Sequence, residues 1–217
     1  MGVWAVIAAY NEEKNLAPVL EGVKNYVDEV VVVDDGSADG TSNVAIASRV
    51  NVLRHPINLG KGAAVRTGVE FAIEKGADKI VLIDADGQHE PDEIPKFLSR
   101  LDRVDIVFGT RKFDENMPVV LRFGNRLLHI FTRLLFGVSV RDTQSGFRAF
   151  RAQAYPLIRW SADGYAMETE MLVNVGKHKL SYEEVPIKTI YHDRYKGTTM
   201  LDGVKIAFRM LSLKLRG

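Results

Sequence analysis

Along the first half of the chain, short unbroken apolar runs alternate with stretches in which apolar residues recur every three or four positions. Val3 to Ala8 is one such run, and Glu29 to Asp34 holds consecutive valines, Val30 to Val33, between acids. Lys79 to Asp84 and Asp105 to Gly109 repeat the pattern, and Asn51 to Arg54 is a shorter version. Apolar runs of this length, bounded by polar residues, predict parallel strands with helices over both faces. Between them, Leu16, Val19, Leu20 and Val23 give helical spacing to Glu12–Tyr26. Asp39-Gly40-Thr41 opens a second helix, and Ala64, Val65, Val69 and Ala72 share one side of a third over Gly60–Glu74. Pro91 falls in the first turn of a fourth, where its missing N–H costs little. This rhythm predicts an α/β fold, an open, mostly parallel twisted sheet that binds ligands beyond the carboxyl ends of its strands.

The second half changes character. Val119 to Phe136 reads as a helix mixing Leu121, Leu127, Leu128, Ile130, Phe131 and Leu134 with Arg122, Arg126 and Arg133. Gly146–Phe150 and Leu180–Pro186 read as strands, Met167–Lys177 as a helix, and Leu201–Leu215 as a basic helix. No repeat, low-complexity tract or flexible linker divides the chain, so 1–217 is expected to be a single domain.

Composition narrows the chemistry. The 217 residues carry a formal net charge of +1, which gives no reason to expect nucleic acid. There is no cysteine, so thiolate metal sites and disulfides are excluded and any metal must sit on oxygen or histidine. The apolar start meets acids at Glu12 and Glu13 and lacks the basic leader of a signal peptide. No stretch approaches the ~20 apolar residues of a spanning helix. These features predict a cytoplasmic protein, peripheral to a membrane if it meets one.

The densest chemical signal is Asp84-Ala85-Asp86-Gly87-Gln88-His89 at the end of a predicted strand. If extended geometry persists there, Asp84 and Asp86 project from one side and can converge on a divalent ion, with Gln88 adding a neutral oxygen. Such hard donors suit Mg²⁺ or Mn²⁺. The plainer reading is a solvated loop capping the next helix; the position at a strand end favours the metal. Asp34-Asp35 ends another strand, and Asp35 is placed to accept hydrogen bonds from a ribose or base, while Asp39 and Thr41 read as helix-capping residues. Tyr10 and Glu12 follow the first strand, where a ring and a carboxylate can hold a nucleoside; a simple loop into a helix explains them as well. Asn58-Leu59-Gly60-Lys61-Gly62 brings backbone amides and Lys61 toward a phosphate, although it is not the ATPase phosphate loop.

These segments, with Gly109-Thr110-Arg111, stand in the order and spacing of family 2 glycosyltransferases of the GT-A fold. Asp142-Thr143-Gln144-Ser145-Gly146-Phe147 extends the resemblance toward the dolichyl-phosphate mannose and glucose synthases, from about Val3 to Gly197. The resemblance implies an inverting, metal-dependent enzyme that moves a hexose, mannose or glucose, from GDP-mannose or UDP-glucose to a polyprenyl phosphate. It implies a nucleotide-sugar half over 1–112 and an acceptor half over 113–217. Tyr10, Glu12 and Asp35 would contact the nucleoside and Lys61 the phosphates. Asp84, Asp86 and Gln88 would hold the metal and diphosphate, and Asp86 and Arg111 would act most directly on the transferring group. Arg122 and Arg126 on the basic helix, with Arg194 or Lys196, would bind the acceptor phosphate. Two departures stand out: Ala8 where the family commonly has proline, and Thr198-Thr199-Met200 where it commonly has Ser-Lys.

A phosphomonoester acceptor already carries a nucleophilic oxygen near neutral pH, its second pKa being about 6. A hydroxyl acceptor would need a base, for which Glu168 and Glu170 are candidates, with capping or packing an equal alternative. Phe131, Leu134, Leu135 and Phe136 beside Arg126 and Arg133 fit either a membrane surface or a half-buried core helix. The rival readings are a glycosyltransferase with a soluble or glycan acceptor, a nucleotidyltransferase, and a non-catalytic nucleotide-sugar-binding or membrane-recruited module. A dinucleotide-dependent oxidoreductase is excluded, because no Gly-x-Gly-x-x-Gly follows the first strand.

Overall fold

A computed structural model of the chain describes residues 2–111, 129–130, 132–188 and 190. Its sheet has seven strands: β1 (Gly2–Ala9), β2 (Glu29–Asp34), β3 (Asn51–Arg54), β4 (Ala77–Leu82), β5 (Ile106–Arg111), β6 (Arg148–Arg151) and β7 (Tyr182–Ile187). They lie in the order β3-β2-β1-β4-β6-β5-β7. All neighbours pair in parallel except at β6, which runs antiparallel between β4 and β5. Among the described residues, besides the partly described helix that ends at Phe136, the helices are α1 (Leu16–Val23), α2 (Thr41–Ala47), α3 (Lys61–Glu74), α4 (Ile94–Leu101), the one-turn α5 (Tyr155–Ile158) and α6 (Met167–His178).

The unbroken apolar strands are buried on both faces. In β1, Trp4 and Val6 join the core beneath α3 and α6, whereas Ala5, Ile7 and Ala9 join the core beneath α1 and α4. β2 divides the same way, Val31 and Val33 against Val30 and Val32. That alternation explains why these strands lack the polar-apolar pattern of a half-exposed sheet. Gly68 lets α3 lie close on the sheet, since a Cβ there would stand 2.5 Å from Val6 Cγ1.

Three elements depart from the sequence expectation. α1 is shorter than Glu12–Tyr26, because the preceding backbone is committed elsewhere. Asn11 N–H donates to Ser37 Oγ (2.9 Å) and Glu12 N–H to Thr41 Oγ1 (2.9 Å). β4 stops at Leu82, so Asp84 lies past the strand and Asp86 in a turn closed by Gly87 at φ 73°. Extended geometry therefore does not persist through Asp86. Finally, β6 enters the sheet antiparallel between two strands adjacent in sequence, an insertion its short apolar pattern did not announce. Of the helix expected over Val119–Phe136, the described parts, 129–130 and 132–136, are helical, and Leu134 is 75% exposed. Its earlier residues, Arg122 and Arg126 among them, lie outside the described residues. So do Arg194, Lys196 and the helix expected over Leu201–Leu215.

Candidate active site

β1 has β2 on one side and β4 on the other, so the direction of winding reverses there. Open α/β sheets part at such a point and leave a crevice beyond the strand ends. Here the crevice is a cleft of about 560 Å³, lined by Ala8 to Glu12 at the end of β1, Asp35 after β2, Asn58, Gly60 and Lys61 where α3 begins, and Asp84 to Asp86 after β4. Gly164 and Tyr165, on the approach to α6, close it from above. Tyr10, Glu12, Asp35, Lys61, Asp84 and Asp86, singled out from four separate segments, thus line one cleft. Gln88 and Arg111 are not among its lining residues.

Asp34 and Asp35 have different tasks. Asp34 is fully buried, accepts Ser37 N–H (2.8 Å) and the Ser42 hydroxyl, and so holds the turn after β2. Burial opposes its charge, but these bonds hold its carboxyl below the ordinary range. Asp35 reaches across to the α3 loop instead. Its Oδ1 accepts Leu59 N–H (3.0 Å) and contacts His55 Nδ1 (2.7 Å), and its Oδ2 accepts Gly60 N–H (2.8 Å). Asp39 caps locally, accepting Thr41 N–H at 3.0 Å, as its helix-start position suggested. Gly60 then turns the chain into α3 at φ 98°, a left-handed geometry other residues rarely adopt.

Charge is concentrated around Lys61, Asp84 and Asp86. Lys61 Nζ stands 2.7 Å from Asp84 Oδ1 and 3.1 Å from Glu168 Oε1. Burial works against the ammonium, but these two carboxylates outweigh it and push Lys61 well above its ordinary value. Burial likewise opposes ionisation of Asp84, and Lys61 reverses the balance, keeping it low. Among the described residues, no cation is paired with Asp86 as Lys61 is with Asp84. Burial and the neighbouring Asp84 charge push it up to about 6. An acidic pair of which one member resists ionisation is a site short of positive charge, and its hard oxygen donors fit Mg²⁺ or Mn²⁺. Gln88 serves the turn itself, donating its N–H to Asp86 Oδ1 at 3.0 Å.

The second half of the chain braces this cluster. Arg148 is buried and bonded to three carbonyls, donating to Ser145 O (2.9 Å), Thr143 O (3.0 Å) and Glu168 O (2.7 Å). It therefore ties the loop before β6 to the start of α6. Gly146 in that loop lies against Asp84: a Cβ would come within 2.5 Å of Asp84 Oδ2. Arg111 at the end of β5 forms a bidentate pair with buried Asp142, Nε to Oδ2 at 2.6 Å and Nη2 to Oδ1 at 3.0 Å. Glu170 accepts Ser161 N–H (2.6 Å) and Ala162 N–H (3.2 Å), which gives it a packing role. Sequence reading left Glu168 undecided and passed over Tyr165 and Arg148. The Asp142–Phe147 motif was the one signal pointing to this neighbourhood.

The profile of Glycosyl transferase family 2 matches residues 4–157. The chain belongs to this family. The family 2 protein UDP-N-acetylglucosamine–dolichyl-phosphate N-acetylglucosaminyltransferase of Methanococcus voltae is 37% identical over 98% of this chain and 96% of its own. Polyprenol monophosphomannose synthase of Mycolicibacterium smegmatis is 30% identical over 98% of this chain and 86% of its own. Among solved structures, glucosyl-3-phosphoglycerate synthase from Mycobacterium tuberculosis, bound to Mn²⁺, UDP-glucose and phosphoglyceric acid, superposes with a TM-score of 0.76. It shares 22% identity over 98% of this chain and 79% of its own, a likeness of fold. The GT-A architecture expected from the sequence is thus the one observed.

Proposed function

We propose that this family 2 glycosyltransferase transfers a hexose from a nucleotide-sugar to a polyprenyl phosphate with inversion at the anomeric carbon. The observation that carries the reading is the convergence of Asp84, Asp86 and Lys61 with Tyr10, Glu12 and Asp35 on one cleft. That is the arrangement a nucleoside diphosphate needs: an aromatic ring and carboxylates for the nucleoside, cationic charge for the phosphates. The names of the Methanococcus and Mycolicibacterium relatives support a polyprenyl phosphate acceptor. They also widen the sugar beyond mannose or glucose to N-acetylglucosamine, and the donor from GDP-mannose or UDP-glucose to UDP-N-acetylglucosamine.

In this reading Tyr10, Glu12 and Asp35 receive the nucleoside and Lys61 faces the diphosphate. Asp84 and Asp86, with Gln88 in the same turn, would hold Mg²⁺ or Mn²⁺. Such an ion supplies positive charge to a leaving diphosphate. Arg111 orients toward the transferring group from its pair with Asp142. Residues 1–112 supply the donor half and 113–217 the acceptor half, with α6 reaching back over the donor. Arg122, Arg126, Arg194 and Lys196 are the acceptor-phosphate residues of this proposal.

One acceptor phosphate oxygen attacks the anomeric carbon; the new C–O bond forms as the bond to the diphosphate breaks, and its electron pair leaves with the diphosphate. No proton must be removed from a phosphate oxygen, which suits a cleft whose additional carboxylate, Glu168, is paired with Lys61. No helix among the described residues is long and apolar enough to cross a membrane. Because its acceptor is carried on a lipid, the proposal has the protein meet the membrane as a peripheral enzyme on the cytoplasmic face.

The test is a donor panel. Purified protein receives GDP-mannose, UDP-glucose or UDP-N-acetylglucosamine, with and without a short polyprenyl phosphate and with Mg²⁺, Mn²⁺ or chelator. Nucleoside diphosphate release that requires both lipid phosphate and metal is expected. Release indifferent to the lipid phosphate would reject the acceptor.

A further inference from the structure

We propose that Lys61 is the resident cation of the acidic pair, exchanged for a divalent ion on loading, and that Glu168 is the positioning residue that keeps Lys61 in the cleft after the exchange. The inference rests on the reading that Asp84 and Asp86 hold that ion.

Lys61 Nζ engages Asp84, one of the two carboxylates a metal would need, 2.7 Å from Oδ1. A dication drawn to the same carboxylate would stand close to the ammonium, and the repulsion between the two cations favours release of Lys61. Lys61 has a second anchor already in place. Glu168 Oε1 is 3.1 Å from Nζ, its side chain is 3% exposed, and its buried Oε2 has no hydrogen-bond partner among the described residues. An unsatisfied buried carboxylate oxygen is costly, and here it belongs to the group that already pairs with the Lys61 ammonium. Once Asp84 turns to a metal, Glu168 has an unused oxygen to accept the displaced ammonium.

Glu168 itself has little room to move. It belongs to the first turn of α6, and its carbonyl is clamped by Arg148 Nη1 at 2.7 Å. The Tyr165 ring, 5.9 Å from Nζ, forms a further wall around the ammonium and also lines the cleft. Lys61 thus pivots between a rigid carboxylate and the site where diphosphate charge would arrive. Without donor, its charge satisfies Asp84; with donor and metal, the same charge faces the phosphates. Metal binding to the nucleotide-free protein is consequently weak, and metal and nucleotide bind synergistically.

The experiment titrates Mn²⁺ alone into nucleotide-free protein, following unbound Mn²⁺ by electron paramagnetic resonance. Wild type, Lys61→Gln, Glu168→Gln and the double variant are compared, each checked for folding by circular dichroism melting. Removing a competing unit charge from the site tightens Mn²⁺ binding by Lys61→Gln at least about tenfold. Glu168→Gln weakens binding several-fold, because displaced Lys61 loses its counter-charge, and the double variant binds as Lys61→Gln does. A folded Lys61→Gln with wild-type Mn²⁺ affinity would overturn the exchange and leave Lys61 a brace between α3 and α6. Glu168→Gln weakening Mn²⁺ binding equally in the Lys61→Gln background would overturn the positioning role. Asp84→Asn with unchanged Mn²⁺ affinity would instead reject the metal site on which the inference rests.

Discussion

Substituting Gly146 by alanine should separate the fold from the chemistry. A Cβ at this position stands 2.5 Å from Asp84 Oδ2, 2.8 Å from Oδ1 and 2.9 Å from Cγ. Ordinary carbon-oxygen contacts lie near ~3.3 Å, so the Asp84 carboxylate must withdraw by close to ~1 Å. The obstacle is the end of a side chain rather than backbone, and the energetic cost is that of moving Asp84 off its preferred rotamer, ~1 kcal/mol. Gly146 has no positive φ. Losing glycine's freedom in the unfolded chain therefore returns roughly 0.5 kcal/mol, and the melting temperature should shift by only a few degrees. Catalysis should not be spared. A displacement of about 1 Å at a positioned group commonly costs ~100-fold. Steady-state kcat/KM on the preferred donor, paired with thermal melting and Mn²⁺ titration, reads both effects. Gly146→Ala with near-wild-type kcat/KM would show that the Asp84 position does not govern the reaction. A variant that fails to fold would make Gly146 a framework residue and refute the separation.

Three further outcomes follow from the same geometry. Asp86, raised to about 6 by burial and by Asp84, binds its proton more tightly in the metal-free folded protein than in the unfolded chain. That preference favours folding at low pH and is lost as pH rises through about 6. Asp86→Asn should therefore stabilise the metal-free protein by on the order of 2 kcal/mol near pH 8, the gain fading toward about pH 4. Urea melts at several pH values measure this, and a gain that grows in acid would contradict it. Arg148→Met leaves three buried carbonyls without their donor and should cost on the order of 3 kcal/mol or more, seen as a lower urea midpoint at unchanged m; a neutral effect would deny Arg148 its bracing role. Asp35→Asn points an N–H₂ at donors Asp35 now accepts, and should weaken nucleoside diphosphate binding while lowering stability by about 1–3 kcal/mol. Isothermal titration calorimetry with UDP and GDP checks the first effect, and unchanged affinity for both would remove Asp35 from the nucleoside site.

The parallel core was readable because Val30–Val33 and its counterparts are buried on both faces, a demand that leaves an unbroken apolar run in the sequence. The lining of the cleft was readable for a related reason: most of its polar residues stand directly after such runs, and sheet topology carries them to one edge. Asp86 shows where this logic stops. Its proximity to Asp84 arises from a turn at Gly87 rather than from strand alternation, and local pattern does not distinguish the two. Glu168 was invisible as a partner of Lys61 because the contact joins α3 to α6 across the sheet edge, and no periodicity in either helix encodes it. Arg148 was missed because an arginine in sequence reads as surface, while its burial here depends on three carbonyls assembled only by the fold. β6 follows the same rule: Arg148–Arg151 is a short strand whose direction is set by its neighbours.

The stereochemistry of the product tests the central claim most directly. An α-linked nucleotide-sugar identified by the donor panel would be incubated with a short polyprenyl phosphate and the lipid product examined by proton and phosphorus NMR. Direct attack by the acceptor phosphate predicts a β-linked sugar joined to the lipid through one phosphate. An α-linked product, or a sugar attached anywhere other than that phosphate, would contradict the account.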